Sequence, residues 1–287
     1  IIQYNITFYL NASLPIILPA QVLNIFKVII MKIHQIYTKS FMRNWNYIFE
    51  LSNSDAIVID PLDDSLINDF LDKNSLNLKT IINTHEHFDH IQGNQALIDK
   101  YGCDVWSHKN CIDKVPGLSR ILEEGEIIEL DTECKIKVLE TPGHTFAHLS
   151  LLVISNDLQE AVIAGDALFN AGVGNCRNGG DPETLYQTIS TQFCVLDDSV
   201  VVYPGHEYLE NNLKFTLSVE PDNIDAAEWL DDLKEKDPTS NFRPITIGDE
   251  RKINTFLRLD SVTLRSNLDM VDASDRDVFI ALRERRD

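Results

Sequence analysis

From residue 31 to about residue 205, short apolar runs alternate with stretches of helical spacing. Ala56 to Asp60, Leu78 to Asn83, Ile136 to Glu140, Leu149 to Ser155, Ala161 to Ala164 and Val200 to Tyr203 read as buried strands, and Asp64 to Lys73 and Gln92 to Tyr101 as helices. The alternation predicts layers of sheet and helix. After His206 the pattern becomes helical: Glu207 to Glu220 closes before Pro221, Asn223 to Lys236 closes before Pro238, and Val278 to Asp287 continues in the same spacing. The expected organisation is a first unit over residues 31–205 and a smaller helical unit over residues 206–287.

Residues 1–30 differ in composition from the rest of the chain, with Lys27 as their only charged side chain. A signal peptide or membrane anchor would need a continuous apolar stretch, and Pro15, Pro19, Gln3, Asn5, Asn11, Gln21 and Asn24 interrupt it. No basic segment precedes it. The reading is an upstream extension outside the functional domain, with a targeting segment as the alternative on composition alone.

The chain is 287 residues long with 44% hydrophobic residues, enough for a substantial core. A formal net charge of -20, with a pI near 4.7, works against a nucleic-acid partner, whose phosphates need the opposite field. The five cysteines are odd in number and include no CxxC pair, which points to reduced thiols in a cytoplasmic protein and not to a disulfide framework.

Chemistry concentrates in Thr84-His85-Glu86-His87-Phe88-Asp89-His90, directly after an apolar run. In an extended segment side chains two apart point the same way, so His85 and His87 can grip one ion, while Asp89 and His90, a turn further, reach a second. Three more ligand-type residues, His144, Asp166 and His206, each come after a short apolar run ending in Gly. Glycine lets the chain turn sharply and brings the next side chain over the sheet edge. Four strand ends would thus aim seven ligands at one point. Nitrogen and carboxylate ligands without thiolate suit zinc first, and also iron or manganese. Two such ions sharing a water lower its pKa toward neutrality and make a hydroxide available as a nucleophile.

This combined pattern resembles the metallo-β-lactamase superfamily and, within it, glyoxalase II, the hydroxyacylglutathione hydrolases. The resemblance runs from Met31, which looks like a genuine start, to the C-terminus, and is strongest in THEHFDH, TPGHTFAH, AGDALF, VYPGHEYLENNLKF and ERKINTFLR. It implies an α/β fold, a four-layer αββα sandwich with its metals at one edge, and a C-terminal helical domain that helps hold the thiol part of the substrate. It also implies a ligand set: His85, His87 and His144 for one metal, Asp89, His90 and His206 for the other, and Asp166 bridging both. Asp89 would also orient the hydroxide or accept its proton, which makes Asp89 and Asp166 the catalytic carboxylates. His148 matches an outer-shell histidine that orients ligands, whereas His34 and His108 lie outside any motif.

On the substrate side, Tyr208 matches a tyrosine that contacts glutathione, and Arg283 and Arg286 match two basic residues that meet its glycine carboxylate. A basic pair three apart shares one helical face. The stretch Ala171 to Gly180 departs from the family: Asn175 replaces the usual basic residue, Arg177 the tyrosine after it, and Ala147 a glycine of the second motif. The expected reaction is hydrolysis of S-D-lactoylglutathione to D-lactate and glutathione by a monomer or weak oligomer with no membrane partner. Rival readings are a lactonase or β-lactamase, a single-iron persulfide dioxygenase, and a non-catalytic metal-binding module.

Overall fold

The computed structural model describes residues 31–286 apart from 235, 238 and 240–243; the readings of residues 1–30 and of Asp287 lie outside the described residues. Six strands form the first sheet in chain order: β1 (Lys32–Tyr37), β2 (Trp45–Glu50), β3 (Asp55–Ile59), β4 (Asn77–Ile82), β5 (Asp104–His108) and β6 (Leu118–Leu122). The pairs β1–β2 and β2–β3 are antiparallel, and β3 through β6 run parallel. The second sheet has the order β13-β10-β9-β8-β7, built from β7 (Ile127–Asp131), β8 (Cys134–Glu140), β9 (Leu149–Ser155), β10 (Leu158–Gly165) and β13 (Val201–Pro204). A small hairpin, β11 (Leu168–Phe169) and β12 (Gly172–Val173), comes after β10.

Between the sheets Tyr47, Phe49, Ile59 and Ile82 meet Ile136, Leu149, Leu151 and Ile163 in one buried cluster. On the outer face of the first sheet pack α1 (Asp64–Asn74), the short α2 (Phe88–Ile91) and α3 (Asn94–Tyr101), with Ile67, Phe70, Leu71 and Leu97 against Val58 and Ile81. The Asp63 carboxylate starts α1 by accepting from the backbone N–H groups of Ser65 and Leu66. On the outer face of the second sheet lies α4 (Pro182–Thr188), succeeded along the chain by α5 (Leu209–Val219), α6 (Ile224–Asp232), α7 (Ile247–Ile253), α8 (Val262–Asn267) and α9 (Asp275–Arg286). Leu264, Phe279 and Leu282 of these helices share one apolar cluster with Leu152, Val162 and Ala164 of the sheet. The result is the expected αββα sandwich with a helical C-terminal region.

The strands anticipated from apolar runs are present to within a few residues. Strands β1, β2, β5, β6 and β7 were not anticipated, because polar residues interrupt their apolar pattern. Asn46 in β2 is buried because its amide donates to the Asp60 carbonyl at 2.5 Å, and Ser107 in β5 because its hydroxyl donates to the Asn83 carbonyl at 2.8 Å. The helix anticipated over Gln92 to Tyr101 is present as α3 from Asn94, and the short α2 before it was not anticipated. The break between them falls at Gly93, whose N–H turns away to the Pro61 carbonyl at 2.8 Å.

Candidate metal centre

The segment after β4 leaves the sheet edge and carries His85, His87, Asp89 and His90, while the segments after β8, β10 and β13 deliver His144, Asp166 and His206 to the same place. Two of these deliveries depend on glycine. Gly165 has φ +51, and a side chain there would collide with His148 and Thr84; a Cβ on Gly205 would run into Asp166 Oδ1.

The imidazoles converge in two groups. His85 Nε2 and His144 Nε2 each stand 3.0 Å from His87 Nδ1. His90 Nε2 lies 3.3 Å from His206 Nε2, and Asp89 Oδ2 lies 3.5 Å from the first and 3.4 Å from the second. Asp166 stands between the groups, with Oδ2 3.4 Å from His144 Nε2 and 3.2 Å from His206 Nε2, and Oδ1 3.5 Å from His90 Nε2. Its buried Oδ1 has no hydrogen-bond partner. The seven side chains anticipated as ligands are therefore brought together, and only His87 among them is not fully buried.

The opposite nitrogen of each ring shows what these atoms are for. His90 Nδ1 donates to Asp60 Oδ2 at 3.0 Å, His144 Nδ1 to the Asn175 carbonyl at 2.6 Å, His206 Nδ1 to the Met42 carbonyl at 2.7 Å, and His87 Nε2 to the Asn178 carbonyl at 3.1 Å. Thr84 gives its hydroxyl proton to Asp60 at 2.6 Å and so accepts from His85 Nδ1 at 3.0 Å. With each outward nitrogen donating, the five inward nitrogens face one another at hydrogen-bond distances, a crowding that only a proton or a cation between them relieves. Outward donation to carbonyl or carboxylate is what fixes the tautomer of metal-bound histidine. The donor set, imidazole and carboxylate without thiolate, fits divalent cations.

Electrostatics point the same way. Burial pushes the His85 and His144 imidazoles down toward their neutral, ligating form. Against the cost of burial, His206, His90 and His144 hold the Asp166 carboxyl well below the usual carboxylate range. His90 is also buried, but Asp166, Asp60 and Asp89 lift it to about 10; the field that makes it basic also draws a cation to Nε2.

Sequence reasoning missed the outer ring. Asp60, at φ +52 directly after β3, also accepts the Thr84 N–H at 2.7 Å, so it braces His85 and His90 together. Asn44 donates to Asp89 Oδ2 at 2.8 Å. An Asp at the end of an apolar strand was the available signal for the first; nothing in the sequence marked the second. His148, read as an orienting residue, accepts the Asp166 N–H through Nε2 at 3.0 Å, and Thr141 Oγ1 lies 2.7 Å from its Nδ1. His34 and His108 face Glu50 and Glu140 away from the centre.

Beside the metal groups opens a cleft of about 390 Å³ lined by Phe169, Asn175, Arg177, Tyr208, Arg283 and Arg286, among others, so the anticipated substrate-contacting residues also meet. The Tyr208 ring stacks on His206 at 5.0 Å, and its hydroxyl donates to the Met42 carbonyl at 3.0 Å. The two arginines differ. Arg283 is buried and donates to the Val173 and Gly174 carbonyls at 3.0 Å each, whereas Arg286 is exposed, 3.3 Å from Asn212 Oδ1. Asn175 turns its side chain onto the Arg177 N–H at 3.2 Å. A larger groove of about 700 Å³ along α6, rich in acidic side chains, shares no residue with the metal groups. Among the described residues no helix is long and apolar enough to cross a membrane.

Residues 41–206 match the family described as "Metallo-beta-lactamase superfamily", and residues 207–287 match "Hydroxyacylglutathione hydrolase C-terminus". The chain is 42% identical over 263 residues to a hydroxyacylglutathione hydrolase of Nitrosococcus oceani, covering 89% of this chain and 99% of that protein. It is 39% identical over 263 residues to the hydroxyacylglutathione hydrolase of a Polaromonas species, again 89% and 99%. Among solved structures, the crystal structure of ETHE1 from Myxococcus xanthus superposes with a TM-score of 0.61 at 21% identity over 88% of this chain and 97% of that one, a likeness of fold.

Proposed function

The chain belongs to the hydroxyacylglutathione hydrolase family of the metallo-beta-lactamase superfamily, and we propose that it hydrolyses S-2-hydroxyacylglutathione thioesters, S-D-lactoylglutathione foremost, to the hydroxy acid and glutathione. The observation that carries this reading is the position of Asp166, one carboxylate within 3.5 Å of a nitrogen from each imidazole group, beside a cleft with two arginines on its wall. In this reading His85, His87 and His144 would hold one divalent cation, Asp89, His90 and His206 the other, and Asp166 would serve both. Zinc is the proposed metal, supported by the nitrogen-rich donor set, with iron and manganese as the alternatives.

Two divalent cations supply Lewis acidity, lowering the pKa of water and polarising the thioester carbonyl. The chain's own groups do the rest. Asp89, which accepts from Asn44, would orient the attacking water and take its proton. The tetrahedral centre collapses by breaking the C–S bond, and because a thiolate is a good leaving group no dedicated general acid is required. Arg286 at the mouth of the cleft meets the carboxylate end of glutathione, and Arg283 supports the wall on which that end rests. Residues 31–205 are the proposed catalytic part, residues 206–287 the substrate-binding part, and the cytoplasm the proposed location, supported by five free cysteines.

The test is metal analysis of the purified protein alongside hydrolysis of lactoylglutathione, a lactone and a cephalosporin, with oxygen uptake monitored on a persulfide. Two equivalents of divalent cation and preferential thioester cleavage are expected. Preference for a lactone or cephalosporin, or oxygen consumption with a single iron, would overturn the assignment.

A further inference from the structure

The hairpin at residues 170–174 is held almost residue by residue by side chains of the C-terminal helical region. Glu250, in α7, is fully buried, and its carboxyl oxygens accept from the Ala171 N–H at 3.0 and 3.2 Å and from the Asn170 side-chain amide at 3.2 Å. Asn254, one turn on, donates both to Glu250 Oε2 at 2.8 Å and to the Gly172 carbonyl at 3.1 Å. Asn212 of α5 donates to the Asn170 carbonyl at 2.9 Å, and Arg283 of α9 takes the carbonyls of Val173 and Gly174. The next residue is Asn175, whose carbonyl receives the Nδ1 proton of His144. Nor can the strap slide freely: a Cβ on Gly172 would meet the Asn212 side chain, and one on Gly174 the Asp166 carbonyl and the His144 ring. Ala171 itself is held at φ +56, a conformation that a non-glycine residue keeps only when its surroundings impose it.

We propose that Glu250 is a positioning residue for the metal centre: by anchoring Ala171 it fixes the strap 170–175, and through the Asn175 carbonyl it sets the tautomer and orientation of His144. The helical region thus tunes the affinity of the His85/His87/His144 group for its cation, besides forming a wall of the substrate cleft. The proposal rests on the two-cation reading of the centre. Burial alone does not produce it, because the side chains along this strap converge on its backbone groups and lead to one ligand.

Above about pH 8, where Glu250 is ionised and the comparison is made, the Ala171 N–H and the amides of Asn170 and Asn254 all donate to its oxygens, so Glu250→Gln must place its own NH₂ group against a donor in either orientation and release at least one anchor at nearly constant volume. Zinc binding is measured by competition with a chromophoric chelator on the whole chain, wild type against Glu250→Gln and Asn254→Ala. Leu264→Ala, a core change in the same helical region, serves as the stability control. Perturbing the group that orients a metal-bound histidine typically lowers metal affinity about 10- to 100-fold. The expected result is a loss of roughly tenfold at one of the two sites in both strap variants, accompanied by faster hydrogen exchange at the Ala171 amide. Leu264→Ala should lower Tm and leave both affinities in place. Strap variants that hold two zinc ions as tightly as wild type would overturn the proposal while leaving the two-cation reading intact. A wild-type chain that takes up fewer than two would overturn both.

Discussion

Asp60 Oδ2 accepts both the His90 Nδ1 proton at 3.0 Å and the Thr84 hydroxyl proton at 2.6 Å, so one buried carboxylate orients a ring from each imidazole group, His90 directly and His85 through Thr84. Both of its oxygens are taken up by these donors and the Thr84 N–H, on the side of the rings opposite their inward nitrogens. Its removal should therefore act through metal affinity.

For Asp60→Asn the expected outcome is a chain that folds but holds its cations about 10- to 100-fold more weakly, as is usual when the group behind a metal-bound histidine is changed. Chelator competition gives the affinity, and activity should return when metal is added in excess. Unchanged metal retention would mean that the rings are oriented by packing alone.

Asp166→Ala is a harsher change, because this carboxylate lies between the two groups, within 3.5 Å of inward-facing nitrogens of both. Activity should vanish and the bound metal should fall below two equivalents even in excess cation. A variant with two metals and near-normal turnover would remove Asp166 from the centre.

The legibility of this site in the sequence comes from locality. His85, His87, Asp89 and His90 fall within six positions, and His144, Asp166 and His206 each come after a glycine at a strand end, so spacing and composition marked them. Asn44 and the carbonyls of Met42, Asn175 and Asn178 act through contacts that no local pattern encodes. The same reason hid β2 and β5. Asn46 and Ser107 look like interruptions until their backbone partners are seen across the fold. Arg283 presents a third case: its spacing from Arg286 suggested one shared task, and only burial separates a loop-holding arginine from an exposed one.

Glu250 also makes a pH prediction. Burial pushes its carboxyl up from 4.5 to about 8, with Asn254, Asn170 and the Ala171 N–H opposing the rise and Asp249 adding to it. A carboxyl whose folded pKa is raised binds its proton more tightly folded than unfolded. Its contribution is therefore complete below about 4.5 and is lost as pH rises through about 8. In cation-free buffer, urea unfolding of wild type should show stability falling by up to about 1.4 kcal/mol per pH unit across that window relative to Glu250→Gln. Parallel pH profiles for the two proteins would show that Glu250 does not titrate differently on folding.

The two arginines of α9 should separate kinetically. Arg286 is exposed at the cleft, and a charge-assisted hydrogen bond to a carboxylate is typically about 1.5–3 kcal/mol, or roughly ten- to a hundredfold in affinity. Arg286→Ala should raise KM for lactoylglutathione by about that factor with little change in kcat, as happens when binding common to ground and transition states is removed. Arg283 is buried and holds two carbonyls of the hairpin that leads to His144, so Arg283→Ala leaves acceptors uncovered as well as removing a charge. Its variant should lose stability by about 3 kcal/mol or more, read as a lower urea midpoint, and should lose kcat together with KM. Equal KM effects with unchanged stability in both variants would mean that both guanidinium groups simply meet the substrate. Unchanged KM in both would mean that the carboxylate end of glutathione is not gripped at α9, and that a thioester of another thiol should be sought.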